Sequence, residues 1–315
     1  MLRYKIQKIL VPIDFSSLSE NALRHAEQLA NHVTSDIELL YVLHPDDMNN
    51  ILGDQNDKED YFKFIIIEAK VKLKQLASLL INKRIRTFLN AKMGKTADCV
   101  VNAATESKSD LIVVGYNNKM DDGKLNSHVV NIVRNAHCPV IAIQPEVENR
   151  PINKIIVPIR DQPFMLDKIK YALSLVKDND STIHLVIFYP DFDNSNRNQK
   201  ITILFGQALQ LLKNHNIKGF YTCIMGNSSY VKDTLLVAKK QQANLIVILA
   251  HHASFLQRFW GVTDEDKFMQ KSKIPLMIIP IDDKGLKIGQ HQSSDYILNP
   301  NSSILSKSVA IAAQN

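Results

Sequence analysis

The sequence predicts an α/β protein built from two repeated, doubly wound domains, each a five-stranded parallel sheet flanked by helices. The chain has 315 residues, about the length of two ordinary domains. Apolar runs of strand length alternate along it with helical patterns. The same motifs also occur twice in the same order. KILVPID at 8–14 returns as KIIVPIR at 154–160, and AHCPVIAI at 136–143 returns as SKIPLMII at 272–279.

The first copy shows the alternation element by element. The predicted order is strand KILVPI (8–13), helix SSLSENALRHAEQLANHV (16–33), strand DIELLYVL (36–43), a long helix over about 60–83, strand RTFLNAKM (86–93), helix TADCVVNAATESK (96–108), strand DLIVVG (110–115), a helix over about 127–136 and strand PVIAIQP (139–145). Ser17 and Glu20 have the spacing of a capping box at the start of the first helix. Apolar strands separated by helices indicate a sheet that is covered on both faces.

The repeat divides the chain into two domains and a tail. Domain 1 is predicted at 1–147 and domain 2 at 151–283, joined by the polar segment QPEVENRPIN, which holds two prolines. Residues 284–315 lack helical or strand periodicity and are rich in Ser, Asn and Gln. They are predicted to form a mobile polar tail, with docking of YIL or SVAIAA onto a domain surface as the alternative.

Composition narrows the function classes. The net charge is +6, but the basic residues are scattered, which argues against nucleic acid as a partner. No apolar stretch approaches the ~20 residues that span a bilayer, and the N-terminus lacks the apolar segment of a signal peptide. The three cysteines form no CxxC pair and are predicted to be buried structural thiols in a reducing compartment. A cytoplasmic protein is expected.

Three motifs resemble sites but are better explained structurally. Gly94-Lys95-Thr96 lacks the earlier glycine of a phosphate-binding loop, so we expect Gly94 to form a tight turn and Thr96 to cap a helix. His251 and His252 are adjacent in an extended segment, where they would point to opposite faces and chelate a metal poorly. Asp121-Asp122 could ligate magnesium near a phosphate, but a solvated acidic pair, whose charge would repel a phosphate, is the better explanation. No metal site is predicted.

The carboxyl ends of the strands are the predicted site, because ligands of doubly wound sheets bind there. Asp14 ends the first strand, where its carboxylate could accept hydrogen bonds from ribose or adenine, or could cap the next helix. The loop GYNNKMDDGKLNS, 115–127, follows another strand and leads into a helix at Ser127. The hydroxyl of Ser127 and the first helical N–H groups could bind a phosphate, or Ser127 could serve only as an N-cap.

The set of motifs resembles the universal stress protein family. The motifs are VPID near the N-terminus, LLYVLHP at the second strand, Met93-Gly94 before the third helix, DLIVVG, and Cys138-Pro139-Val140 at the last strand. The resemblance covers about 1–147 and 151–283. It implies a Rossmann-like five-stranded sheet, a role in stress survival, and pairing of domains through their last strands. Some members bind ATP or AMP, and others do not.

The resemblance also implies the site residues. Nucleotide-binding members carry Gly-x-x-Gly, nine further residues, and then Gly-Ser or Gly-Thr. Gly115 and Ser127 match that pattern here, whereas Asn118 and Asn126 stand in place of glycines and the loop is two residues shorter. By the same resemblance, Asp14 would contact the nucleoside and Val42 would flank the adenine. ATP or AMP is therefore expected to bind weakly, if at all, in domain 1.

The second copy departs further from the binding pattern. Arg160 replaces the aspartate of VPID, and the positions of the loop glycines hold Leu249, His252 and Val262, followed by Thr263. Phe255, Phe259 and Trp260 make this loop bulky and apolar, so they are expected to fill the crevice or an interface. Domain 2 is not expected to bind ATP in the family manner.

The sequence thus favours a tandem universal stress protein: a non-catalytic stress-response module with at most weak adenine-nucleotide binding in domain 1. Its protein partners are not identifiable from the sequence, and a homodimer stays open. Two alternatives also stay open, an ATP-binding switch that hydrolyses slowly and a nucleotide-free structural scaffold.

Overall fold

The computed structural model describes residues 4–46, 58–80, 84–117, 127–176, 181–190, 195–226, 228–251, 263–282 and 285–286. Within them, a large and mostly parallel sheet is flanked by helices, which confirms the predicted α/β class. The strands are β1 (Lys8–Ile13), β2 (Asp36–Leu43), β3 (Thr87–Met93), β4 (Leu111–Gly115), β5 (Val140–Ile143), β6 (Lys154–Ile159), β7 (Thr182–Tyr189), β8 (Lys218–Met225), β9 (Leu245–His251), β10 (Leu276–Asp282) and β11 (Gly285–Leu286). The helices are α1 (Ser17–Val33), α2 (Lys58–Leu79), α3 (Thr96–Glu106), α4 (Ser127–Asn135), α5 (Met165–Ser174), α6 (Ser195–Asn214), α7 (Tyr230–Lys240) and α8 (Asp264–Lys271).

The strand order is β3-β2-β1-β4-β5-β10-β9-β6-β7-β8, so each half contributes five strands in the same relative order. The five strands of each half are parallel to one another, and β5 and β10 join the halves by antiparallel pairing that places Ile141 opposite Met277. The short strand β11 pairs with the end of β10, so the first residues of the segment predicted as a tail extend the sheet. Residues 287–315 lie outside the described residues.

Alternate strand residues build two apolar layers. Ile9, Val11 and Ile13 lie in the layer under α1, α2, α5 and α6, while Leu10 lies in the layer under α3, α4, α7 and α8. Both layers contain buried residues from the two halves, so the halves share their cores. None of the described helices has an apolar stretch long enough to span a bilayer.

The first helix starts differently from the predicted capping box. Phe15 has a φ of 62°, and this left-handed residue turns the chain so that Ser16 becomes the N-cap. The Ser16 side chain accepts a hydrogen bond from the backbone N–H of Ser19 at 3.3 Å. The predicted pairing of Ser17 with Glu20 is therefore wrong, because Ser17 is already the first helical residue.

The cysteine prediction is also wrong in one case. Cys138 is buried and Cys99 is half-buried, but Cys223 is exposed. Cys223 lies on β8, which is last in the strand order and pairs only with β7 in the described part of the chain. A strand at the edge of a sheet leaves side chains exposed that its apolar sequence alone would assign to a core.

Asn244 anchors the linker to the second half. Its amide oxygen accepts hydrogen bonds from the backbone N–H groups of Asn153 and Lys154 at 3.2 and 3.0 Å. Its amide nitrogen donates to the carbonyl of Pro151 at 2.6 Å and to the side-chain oxygen of Asn153 at 2.8 Å. One side chain therefore satisfies four polar groups at the entry to β6.

Asp110 holds the corresponding position before β4. Its carboxylate accepts from the backbone N–H groups of Gln7 and Lys8 at 2.8 and 3.0 Å, at the entry to β1. A carboxylate can only accept, which suffices at β1. The linker before β6 also presents carbonyl oxygens, so that position needs an amide, which both accepts and donates.

We predict that Asn244→Asp destabilises the protein. The substitution keeps the acceptor but removes both donors, and it places a carboxylate beside two oxygen atoms. The free energy of unfolding should fall by about 1–3 kcal/mol in urea titrations. Asp110→Asn is the matched control, because it keeps an acceptor where no donor is needed and should cost less. Equal losses in the two variants would contradict the role given to the donors of Asn244.

Candidate functional site

The first half has a crevice at its topological switch point. The chain runs from β1 outward to β2 and β3 and then returns to β4 on the other side of β1. Connections therefore leave the carboxyl ends of β1 and β4 in opposite directions, which opens a crevice between them. Asp14 directly follows β1 and Gly115 ends β4, so two of the predicted residues lie at this edge.

The carboxylate of Asp14 is held by the turn that follows it. One of its oxygens accepts hydrogen bonds from the backbone N–H and the hydroxyl of Ser16, at 2.9 and 2.5 Å. Partial burial raises the pKa of the Asp14 carboxyl, but hydrogen bonds from Ser16 and Ser19 outweigh burial and the net pKa lies below its ordinary value. Asp14 is therefore ionised at neutral pH. Capping of α1 was one of the two roles considered for Asp14, but the N-cap of this helix is Ser16.

Gly115 has a packing role that the sequence did not reveal. A Cβ atom at this position would lie 2.6 Å from the carbonyl oxygen and 2.7 Å from the Cγ atom of Leu18. The absence of a side chain lets the first turn of α1 approach the end of β4. Gly115 is thus needed for helix–sheet packing whether or not a ligand binds.

The end of β2 and the start of α4 lie at the same edge. Val42 is the second-last residue of β2, and it is partly buried against the core layer under α3 and α4. Ser127 is the first residue of α4. The ring of His128, one residue later, contacts the ring of His44 edge-on with centroids 6.5 Å apart. This contact places the N-terminus of α4 beside the strand end that carries Val42.

The two histidines were not among the predicted site residues. His44 was visible in the LLYVLHP motif as the residue after a strand, but nothing in the sequence paired it with His128. The predicted residues Asn118 and Asn126 lie outside the described residues, as does Asp121-Asp122. In the described part of the chain, no group of three or more potential metal-binding side chains occurs.

The equivalent crevice of the second half is occupied by Arg160. Its guanidinium donates to the Asp264 carboxylate at 2.8 Å and to the Gln162 side-chain oxygen at 3.0 Å. It also lies over the ring of Tyr230, 4.0 Å from the centroid. Asp264 begins α8 and Tyr230 begins α7, so the arginine links the end of β6 to two helix starts.

The helix N-termini of the two crevices differ in charge. Thr263 and Asp266 form a reciprocal capping box at α8, with hydrogen bonds of 3.2 and 3.1 Å. The first turn of α8 carries three acidic residues, including Glu265, and the first turn of α4 carries none. An anion would meet carboxylates at α8, whereas the positive end of the α4 dipole has no acidic neighbour in its own first turn.

Two of the positions predicted in the second loop, Leu249 and Thr263, lie in the described part of the chain. Leu249, at the position of the first glycine, is buried in β9 with 5% exposure. Thr263 is the N-cap of α8. His252, Phe255, Phe259, Trp260 and Val262 lie outside the described residues.

The turn at Gly94 is structural, as expected. Gly94 has a φ of 149°, and a Cβ there would lie 2.7 Å from the sulfur of Cys99. The predicted cap at Thr96 is wrong, because Lys95 occupies the N-cap position and makes no side-chain cap hydrogen bond.

Lys168 is a fully buried lysine next to the second crevice. Its ammonium group donates to the carbonyl of Pro158 on β6. Burial, and then the charge of Arg160, hold the pKa of Lys168 well below its ordinary value. The helical pattern of α5 gave no sign of it, because lysine at a core-facing position is rare.

Comparison with known proteins identifies relatives of both sequence and fold. Residues 5–144 match the model of the Universal stress protein family. Universal stress protein MJ0531 of Methanocaldococcus jannaschii is 26% identical over 142 residues, which cover 44% of this chain and 82% of that protein.

Solved structures extend the comparison to the second half. A universal stress protein from Archaeoglobus fulgidus DSM 4304 is 15% identical, with a TM-score of 0.68 over 86% of this chain and 97% of that one. This likeness shows that the fold spans both halves. Another neighbour is a universal stress protein solved in complex with cAMP; it is 22% identical, covers 44% of this chain and 97% of its own, and has a TM-score of 0.33.

We predict that Gly115→Ala destabilises the first half. The added methyl group would collide with the backbone of α1, so the free energy of unfolding should fall by about 1–3 kcal/mol. Gly206→Ala in α6 is the matched control, because a Cβ there meets nothing within 4 Å, and alanine should stabilise that helix by about 0.5–1 kcal/mol. Urea titration measures both. A Gly115→Ala protein as stable as the parent would show that packing does not require this glycine.

We also predict that Lys168→Met flattens the dependence of stability on pH. The unfolded chain binds a proton at Lys168 below its ordinary pKa of 10.5, but the folded chain binds it only at lower pH. Stability should therefore rise as pH increases through the window just below 10.5, and methionine should remove that contribution. Urea titrations at pH 8 and pH 10 measure the slope. Lys170→Met, which removes a half-exposed lysine paired with Asp167, should retain it. An unchanged slope in Lys168→Met would contradict the lowered pKa.

Proposed function

We propose that the chain is a tandem stress-response module with domains at 1–147 and 151–283, since residues 5–144 match the model of the universal stress protein family. It acts in the cytoplasm, without catalysis, by binding protein partners. Membrane and nucleic acid are not partners in this proposal. The shared fold of the two halves and their joined cores support a single rigid module.

We propose that domain 1 keeps part of an adenine-nucleotide site and binds ATP or AMP weakly. The observation that carries the proposal is the ionised Asp14 at the same sheet edge as the N-terminus of α4, whose first turn has no acidic residue. A carboxylate there suits ribose hydroxyl donors, and a helix N-terminus suits a phosphate. Asn118 and Asn126 replace glycines that would let the backbone approach the phosphates, so affinity is low.

Domain 2 binds no nucleotide in this proposal. Arg160 already fills the crevice and is neutralised by Asp264. A nucleotide would have to displace that ion pair and would bring its phosphates to a helix start with three carboxylates. Repulsion and the loss of existing contacts both oppose binding.

A nucleotide-free scaffold is the second candidate. The second crevice favours this candidate, because its own side chains, Arg160 with Asp264 and Tyr230, occupy the place where a ligand would bind. If domain 1 is likewise self-sufficient, the protein serves only as a binding surface. Nucleotide released by heat from the purified protein would separate the two functions.

We predict opposite outcomes for two equivalent substitutions. Isothermal calorimetry of the parent protein with ATP and AMP should give a dissociation constant on the order of 0.1–1 mM, with at most one site per chain. Asp14→Ala should abolish this binding, because it removes the acceptor for the ribose. Arg160→Ala should leave it unchanged. Tight binding by the parent, or binding that survives Asp14→Ala, would overturn the assignment.

The pair Asn118→Gly and Asn126→Gly tests the cause of low affinity. Restoring both glycines removes side chains from the position where the backbone meets phosphate, so binding should tighten about tenfold or more. If the parent binds and the double variant binds no better, the short loop rather than the asparagines limits affinity. If neither binds any nucleotide, the scaffold function holds.

A further inference from the structure

A cavity of about 450 Å³ lies between the two halves, beneath the linker that joins them. Its size falls within the range of small-molecule sites, roughly 300–1,000 Å³. The floor is apolar and buried, and it includes Leu29 of α1, Val113 of β4 and Ile143 of β5. The second half contributes Ala243 and Ile274, so the cavity exists only because the halves are joined.

The walls of the cavity are held in place by hydrogen bonds. On one side, the carbonyl of Val147 accepts from the side chain of Asn21 at 3.3 Å and lies 3.5 Å from the ring nitrogen of His25. On the other side, Asn244 bonds the linker at Pro151 and Asn153. The site is therefore formed before any ligand arrives, which lowers the entropic cost of binding.

The mouth of the cavity carries an excess of positive charge. Three basic side chains and two acidic ones line it. Arg150 is paired with Glu148 at 2.5 Å. Lys154 and Lys273 are exposed at the mouth, and neither ammonium pairs with a carboxylate among the described residues, while Glu146 is the remaining acid.

We infer that this cavity binds a small organic anion with an apolar body, such as an aromatic sulfonate or a medium-length carboxylate. The apolar part lies on the floor formed by Leu29, Val113 and Ile143, and the anionic group lies at the mouth beside Lys154 and Lys273. The ligand contacts α1, the linker and the second half together. Binding therefore stabilises the joined arrangement of the halves, independently of any nucleotide in domain 1.

The test uses two dyes that share an apolar body. Anilinonaphthalene sulfonate carries an anionic group, and N-phenyl-1-naphthylamine lacks it. Titration of the full chain should give saturable fluorescence with one site for the sulfonate and weaker binding of the neutral dye. The double variant Lys154→Gln, Lys273→Gln should weaken sulfonate binding by about fivefold to tenfold and leave the neutral dye unaffected.

Two further variants locate the site. The double variant Lys70→Gln, Lys74→Gln removes two exposed lysines of α2 and should bind the sulfonate like the parent, which controls for net charge. Ala243→Phe fills the half-buried wall and should abolish binding of both dyes while the urea midpoint shows that the protein is folded. Equal weakening by the two lysine pairs would overturn the proposal. So would full binding to a folded Ala243→Phe protein, or to the parent at several unsaturable sites.

Discussion

The antiparallel hydrogen bonding between β5 and β10 is the contact on which the arrangement of the two halves depends. It makes two parallel sheets into one, and both core layers contain buried apolar residues from the two halves. It also reverses the direction of the strands, so the carboxyl ends of the strands in one half point opposite to those in the other half. The two crevices consequently lie at opposite ends of the strands. The cavity beneath the linker depends on the same junction, because Ala243 and Ile274 of the second half line it.

The two crevices show how a few side chains decide what one fold can bind. Asp14 and Arg160 directly follow equivalent strands, and their charges are opposite. The carboxylate is held by the turn that follows it, whereas the guanidinium reaches across to Asp264 and Tyr230. Fold alone does not determine function here, because the same topological position holds a carboxylate in one half and an arginine paired with Asp264 in the other.

The sequence predicted the fold well because its signals are periodic and occur twice. The bounds of β1 and β2 follow directly from apolar runs, and the repeat gave the second half from the first. The site was harder, because its decisive contacts join distant segments. Gly115 was interpreted from a ligand motif, yet its contact is with Leu18, about a hundred residues away in the chain.

Other failures have similar physical causes. The N-cap at Ser16 depends on the left-handed Phe15, a conformation that sequence rules assign to glycine or asparagine. The exposure of Cys223 depends on which strand ends the sheet, and the burial of Lys168 depends on a single carbonyl of β6. Each is a tertiary outcome that local propensity cannot encode. The roles given to Asn118 and Asn126 remain predictions, because both residues lie outside the described part of the chain.

Two polar side-chain contacts across the junction have no counterpart on the other side of the pseudo-two-fold axis, although the strand pairing itself is symmetric. Arg134 of α4 pairs with Asp266 of α8, but the equivalent positions are Gln270 and Val130, which cannot form an ion pair. Tyr116 donates a hydrogen bond to the carbonyl of Met269 and accepts one from Gln144. The equivalents of Tyr116 and Gln144 in the second half are Ala250 and Pro280, which cannot form these bonds. In a symmetric dimer every substitution appears twice across the axis, so a favourable change on one side must be tolerated on the other. A fused chain is free of that restriction. The residues on each side of the junction can therefore change independently. A second copy of one half could not make the contacts that the other half makes.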